Sequence, residues 1–242
     1  MPSRSPARLE DEQRLRAAVV AAGRRLGSHG LIAAGEGNLS LRVGERLLIT
    51  PTGRRKDELS RGDLVLMDLR GKTAAATTRG RRPSSDIAIH RAIYATRADV
   101  RAVVHAHLPA AMSLTLAGIV PDPAVLPETA LLFPRLPFVP FAPAGSDVLA
   151  AAIASALAAE ERPGAALLER HGAVAVGAGA GDPATALEEA VDRLELVEVL
   201  CRTWRDALLL RAAANALGAG AILRAPDTSP GTPARGRRRR NP

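Results

Sequence analysis

Leu9, Leu15, Val19, Ala22 and Leu26 recur at near-helical spacing and Gly30 closes the run, which predicts a first helix over 9–29. From residue 31 the repeat shortens. Leu39 and Leu41 alternate with Ser40 and Arg42, as a strand with one buried face requires. Leu47–Thr50 predicts a second strand, stopped by the turn Pro51-Thr52-Gly53, and Leu64–Leu69 a third, ended by Gly71. Pro83-Ser84-Ser85-Asp86 has the residues that start a helix, and Ile87–Thr96 continues as one. Val100–His107 is a Val-rich strand followed by a helix near Pro109–Ala117. Seven prolines between 121 and 143 predict a structured loop or a set of edge segments. Ser146–Glu160 is an Ala-rich helix; Ala165–Arg170 and Ala173–Val176 flank His171 as strands or one bent strand. Pro183 to about Leu217 is the longest helix, with Pro near its first turn and Gly218 just past its end. Strands largely precede the final helical run, so helices outside a mixed sheet fit better than a parallel alternation.

Length and composition narrow this picture. At 242 residues, with 47% hydrophobic and 2% aromatic residues, the chain is expected to be one domain whose core is built from Ala, Leu and Val. The single cysteine, Cys201, excludes an intramolecular disulfide. No apolar run is long enough to span a bilayer, and the charged start lacks the apolar segment of a secretory signal. A cytoplasmic protein with no membrane partner is the expectation.

The net charge of +8 first suggests nucleic acid, but half of it lies in residues 225–242, where five arginines face one aspartate. That Pro-, Gly- and Arg-rich segment has no apolar periodicity and is expected to be a disordered tail following a 1–224 domain. A nucleic-acid role rests on that tail alone.

Five histidines carry the candidate chemistry. His105 and His107 stand two apart in a strand, so both imidazoles point to one face. With a distant third such as His171, they match a common ligand set for a catalytic zinc, which keeps one position open. The pair alone leaves open two readings, metal ligands or hydrogen-bonded core imidazoles. His29 reads as a surface residue and His90 as a supporting one. Gly37-Asn38, Thr52-Gly53 and Ser84-Ser85 place small donors beside glycine or a helix start, and together they could cradle an anion. Asp86 would sit beside that cradle, or would simply cap its helix.

In order, Gly37-Asn38-Leu39-Ser40, Ile49-Thr50-Pro51-Thr52-Gly53, Pro83-Ser84-Ser85-Asp86, Val104-His105-Ala106-His107 and Arg170-His171-Gly172 resemble the class II aldolase/adducin family. The resemblance runs from about residue 10 to 210. It implies an α/β fold with three αβα layers, in which a central, mainly antiparallel sheet is flanked by helices. His105, His107 and His171 match the zinc ligands, although the same imidazoles would accept another divalent transition metal. Gly37, Asn38, Thr52, Gly53, Ser84 and Ser85 match the phosphate-holding positions, and Asp86 the acid that moves protons. The family's enzymes are commonly homotetramers with active sites at subunit interfaces. Their chemistry leaves negative charge on an enediolate, which a Lewis-acidic metal stabilises.

Three departures bear on the substrate. Aldolases of the family commonly place Glu where this chain has Asp86, whereas the ribulose-phosphate 4-epimerases place Asp. The single tyrosine, Tyr94, falls in the helix after Asp86, away from the family's proton-donating tyrosines. Glu128, in Leu126-Pro127-Glu128-Thr129, is a candidate replacement acid or merely a loop carboxylate. Glu36 would repel a dianion if it faces the cradle, and otherwise points to solvent or pairs with Arg54, Arg55 or Lys56. The leading expectation is a zinc-dependent carbon–carbon lyase of carbohydrate metabolism, acting on a small hydroxy-carbonyl substrate such as a ketose or deoxyketose phosphate. A decarboxylase and a 4-epimerase on the same fold are the alternatives. A non-catalytic adducin-like module is disfavoured because all three histidines and an acid are present.

Overall fold

A computed structural model describes residues 6–70 and 80–216. The expected stop at Gly71, the helix end at Gly218 and the tail over 225–242 lie outside them. The elements run α1 (Pro6–Ser28), β1 (Asn38–Val43), β2 (Arg46–Ile49), β3 (Val65–Asp68), α2 (Ile87–Thr96), β4 (Val100–Ala106), α3 (Pro109–Leu116), α4 (Pro127–Leu132), β5 (Phe138–Val139), α5 (Asp147–Leu157), β6 (Ala165–Leu168), β7 (Gly172–Ala178) and α6 (Pro183–Ala216). Residues up to Asp206 form one compact unit; the stretch from Ala207 separates as a second, described as the helical end of α6.

The seven strands form one sheet in the order β3-β2-β1-β4-β7-β6-β5. Every pairing is antiparallel except β5 with β6. Alternation along the strands splits the core into two layers. Leu39, Leu41, Val104, Ala106, Ala173 and Ala175 pack with residues of α1, α3 and α6. Val103, Val174 and Val176 pack with α2 and α5 on the opposite face. The three layers follow from this period-two segregation.

The proline-rich segment differs in part from the sequence expectation. It supplies an edge strand, β5, but also the short helix α4. Pro127 occupies the first turn of α4, where a missing N–H removes no helical bond, so proline starts the helix here. α3 depends on a partner that is remote in sequence. Buried Glu198 of α6 accepts from the backbone N–H groups of Ala110 and Ala111, satisfying the first turn of α3 just after His107.

Two glycines hold the strand ends together. Gly37 has φ +67°, and a Cβ there would lie 2.8 Å from Ile32 Cγ2 and 2.9 Å from the His105 carbonyl oxygen. Gly172 has φ +80°, and a Cβ there would collide with the Ala106 carbonyl oxygen. Gly172→Ala is therefore expected to destabilise the protein by about 3 kcal/mol, through backbone strain and overpacking. Urea unfolding measures it, and a loss below about 1 kcal/mol would show that the β4–β7 contact gives way easily.

Candidate metal centre

The site sits where β1 begins, β4 ends and β7 begins. Register places His105 between Asn38 of β1 and Val174 of β7. His107 follows β4, and His171 occupies the turn between β6 and β7. That turn is held by Arg170, whose N–H donates to Thr115 Oγ1 at 3.1 Å and whose guanidinium stacks 4.4 Å above the Phe141 ring. Arg170 itself takes φ +59°, a strained conformation for a residue with a side chain.

The three rings converge, with centroids 4.9 Å apart for His105–His107 and 4.7 Å for the other two pairs. One ligand-type nitrogen from each lies within 4.8 Å of the others. His105 is fully buried, and its Nδ1 lies 3.0 Å from the Ala173 carbonyl oxygen. A carbonyl only accepts, so Nδ1 carries the proton and Nε2 presents its lone pair. That Nε2 is buried and, among the described residues, has no hydrogen-bond partner. An orphaned acceptor aimed at two further imidazoles fits a divalent metal, whose ligands must be unprotonated. Burial, then His171 and His107, push the His105 pKa well below its usual value. Burial and His107 lower that of His171, while Asp86 pulls it back up.

Asp86 stands at the start of α2, yet its side chain makes no capping hydrogen bond. Its Oδ2 accepts from Asn38 Nδ2 at 2.8 Å. Asn38 Oδ1 accepts from His90 Nε2–H at 2.5 Å, which leaves His90 Nδ1 to accept from the Ser40 hydroxyl at 2.7 Å. The Tyr94 hydroxyl lies 3.0 Å from Ser40 Oγ and 3.2 Å from the Ser40 carbonyl. The donors thus run in one direction, from the interior to the carboxylate. His90 is fully buried and its pKa falls to about 3 through desolvation. Because the folded value lies below the unfolded one, this group's contribution to stability is present above pH about 6.5 and is lost as pH falls towards 3. His90→Gln is expected to flatten that acid-side loss in denaturation curves at pH 7 and pH 5; an unchanged slope would mean that His90 is already charged in the fold.

A cavity of about 310 Å³ opens over the centre. It is lined by nine of the residues singled out from sequence: Gly37, Asn38, Thr52, Gly53, Ser84, Ser85, Asp86, His107 and His171. His105 lies buried beneath. Glu128 is not brought to the cavity of its own chain: it is exposed on the first turn of α4. Tyr94 is buried under the sheet, and desolvation raises its pKa. Glu36 does line the cavity, with Oε1 3.5 Å from His107 Nδ1 and Oε2 3.3 Å from the Ala33 N–H; it pairs with none of Arg54, Arg55 or Lys56. His29 is exposed beside Glu195.

Sequence reasoning missed Lys56. Only 2% exposed, it lines the cavity and donates to the carbonyls of Gly35 at 2.5 Å and Arg54 at 2.8 Å. It stands in the run Arg54-Arg55-Lys56-Asp57-Glu58, which reads as a solvated charge cluster. Its one usable signal is proximity to the Thr52-Gly53 turn.

Three imidazoles able to hold a metal, a carboxylate that caps nothing and a polar cavity at the ends of the central strands are the equipment of an enzyme active site. The chain belongs to the class II aldolase/adducin family: residues 17–205 match the model of the Class II Aldolase and Adducin N-terminal domain. It is 36% identical over 172 residues to the 5-methylthioribulose-1-phosphate/5-deoxyribulose-1-phosphate aldolase of Rhodospirillum rubrum, covering 67% of this chain and 71% of that protein. It is 33% identical over 206 residues to the 3-oxo-tetronate 4-phosphate decarboxylase of Cupriavidus necator, covering 82% and 88%. The crystal structure of L-fuculose-1-phosphate aldolase from Thermus thermophilus superposes with a TM-score of 0.72 at 30% identity, over 83% of this chain and 97% of that one. Among the described residues, no helix is long and apolar enough to cross a membrane.

Proposed function

We propose that this protein is a zinc-dependent carbon–carbon lyase acting on a small hydroxy-carbonyl phosphate. The observation that carries the reading is the orphaned Nε2 of His105, converging with His107 and His171 beside a carboxylate that caps nothing. His105, His107 and His171 would hold the metal, which when bound supplies Lewis-acid stabilisation of an enediolate. Asp86 moves the proton. Asn38 fixes its Oδ2, which leaves Oδ1 to take a proton from a substrate hydroxyl during retro-aldol cleavage or to return one to carbon. The hydroxyls of Thr52, Ser84 and Ser85 and N–H groups of Gly37, Asn38 and Gly53 orient the phosphate, so the scissile bond meets Asp86 in a fixed geometry.

A decarboxylase is the second reading. It is favoured by the match to the Cupriavidus necator enzyme and by the burial of Tyr94, which removes that tyrosine from proton transfer at the cavity. Loss of carbon dioxide leaves the same class of anion for Asp86 to protonate. A 4-epimerase working by the same retro-aldol route would share Asp86, but the chain's single tyrosine is buried and cannot serve as its second proton carrier. We further read the protein as a cytoplasmic homotetramer in which a neighbouring subunit completes the site, the one arrangement that would bring Glu128 to a cavity.

The test is product analysis. Zinc-loaded protein is incubated with phosphorylated ketoses and, separately, with 3-oxo acid phosphates. Aldehyde release supports the lyase and carbon dioxide release the decarboxylase. Turnover of neither, at one zinc per chain, would sink both.

A further inference from the structure

Lys56 is the one lysine or arginine among the residues lining the cavity, which also include Glu36 and Asp86. Its ammonium is buried, and among the described residues no carboxylate pairs with it; two of its three N–H donors go to the neutral carbonyls of Gly35 and Arg54. Burying an ammonium without a counter-charge is costly, and two carbonyls could be bridged by a neutral donor at lower cost. Burial accordingly lowers the Lys56 pKa, with Asp86 pulling it back up. The carbonyls also fix where the charge stands. One comes from the loop leading to Gly37-Asn38 and the other directly follows Thr52-Gly53, so the ammonium lies between two of the three segments that form the cradle.

We propose that Lys56 is the charged anchor of the cavity's anion subsite, and that the substrate group it selects is a phosphomonoester dianion. The cradle otherwise offers neutral amides and hydroxyls, which orient an anion but do not offset the two carboxylates that line the same cavity. Lys56 supplies that offset and, through its two carbonyls, joins the loops that surround the phosphate. The substrate class rests on the lyase reading above; the anion subsite does not.

The experiment is calorimetric titration of the zinc-loaded, full-length protein with two probes, inorganic phosphate and neutral hydroxyacetone. Lys56→Met should weaken phosphate at least tenfold, leave hydroxyacetone and zinc content unchanged, and be partly rescued by Lys56→Arg. Equal losses for both probes would reduce Lys56 to a loop clamp, and unchanged phosphate affinity would place the anion elsewhere; either result overturns the proposal. Should Lys56→Met fail to fold, the wild-type protein still decides. The chain has two lysines, Lys56 and Lys72, so the ¹⁵N spectrum of lysine-labelled protein holds two Nζ signals. The signal lost in Lys56→Arg should shift saturably with phosphate, and a titration that shifts neither overturns the proposal. If no phosphorylated ketose or 3-oxo acid is turned over while Lys56 still responds to phosphate, the lyase reading fails and the subsite stands.

Discussion

His171→Ala should yield a folded protein that retains no metal and has no measurable turnover. His171 lies in the β6–β7 turn, not in a strand, and the backbone around it is anchored independently by the Arg170 N–H on Thr115 and by the Arg170–Phe141 stack. Its removal therefore spares the sheet but leaves two imidazoles where a zinc site needs three protein ligands. Wild-type protein should hold about one zinc per chain by plasma mass spectrometry, and the variant close to none after dialysis. Linkage supplies a second readout. A metal present at about 1,000 times its Kd stabilises the fold by about 4 kcal/mol, so a chelator should lower the wild-type melting temperature and leave the variant's unchanged. His105→Ala should also lose the metal, but with a further stability loss, because it empties a fully buried position and removes the hydrogen bond to the Ala173 carbonyl. Full zinc and full activity in His171→Ala would remove the three-histidine centre from the chemistry.

Asp86→Asn should do the opposite: keep the metal and lose the rate. An asparagine can still accept from Asn38 Nδ2 through its own Oδ1, so the buried network behind it need not rearrange. What disappears is the group that takes and returns a proton, for which a loss of about 10²–10⁴ in kcat is expected. Zinc content should stay within about twofold of wild type if only proton transfer is lost. A normal kcat would exclude Asp86 as the proton carrier, and a parallel loss of zinc would reassign it to metal binding.

Much of this was legible in the residues. The Leu39-Ser40-Leu41-Arg42 alternation and the Ile87–Thr96 repeat read directly as β1 and α2, since burial of one face imposes those periods. His105 and His107 converge because a strand returns to the same face every second residue. Gly37, Asn38, Thr52, Gly53, Ser84 and Ser85, which line the cavity, are picked out through local turn chemistry, which is written in short stretches of sequence. What stayed hidden depends on three-dimensional direction. Lys56 is one more positive charge beside Arg54 and Arg55 until the fold turns it inward. Asn38 reads as a cradle position, and only the fold shows that its side-chain amide also ties Asp86 to His90. Glu128 occupies a suggestive stretch of chain, but α4 turns it to solvent. Glu198 lies 88 residues from the helix start it caps, beyond any local pattern.

The one-way order of hydrogen bonds from Ser40 through His90 and Asn38 to Asp86 bears on how the sequence can change. Each member fixes the proton position or amide orientation of the next, and Ser40, His90 and Asn38 are shut off from water that could replace a lost donor. A single apolar substitution inside the chain therefore leaves a buried donor or acceptor without its partner. Changes at these three positions should be strongly epistatic, harmful singly and tolerated only as matched sets, so that natural variants of this site exchange the relay as a block or keep it whole.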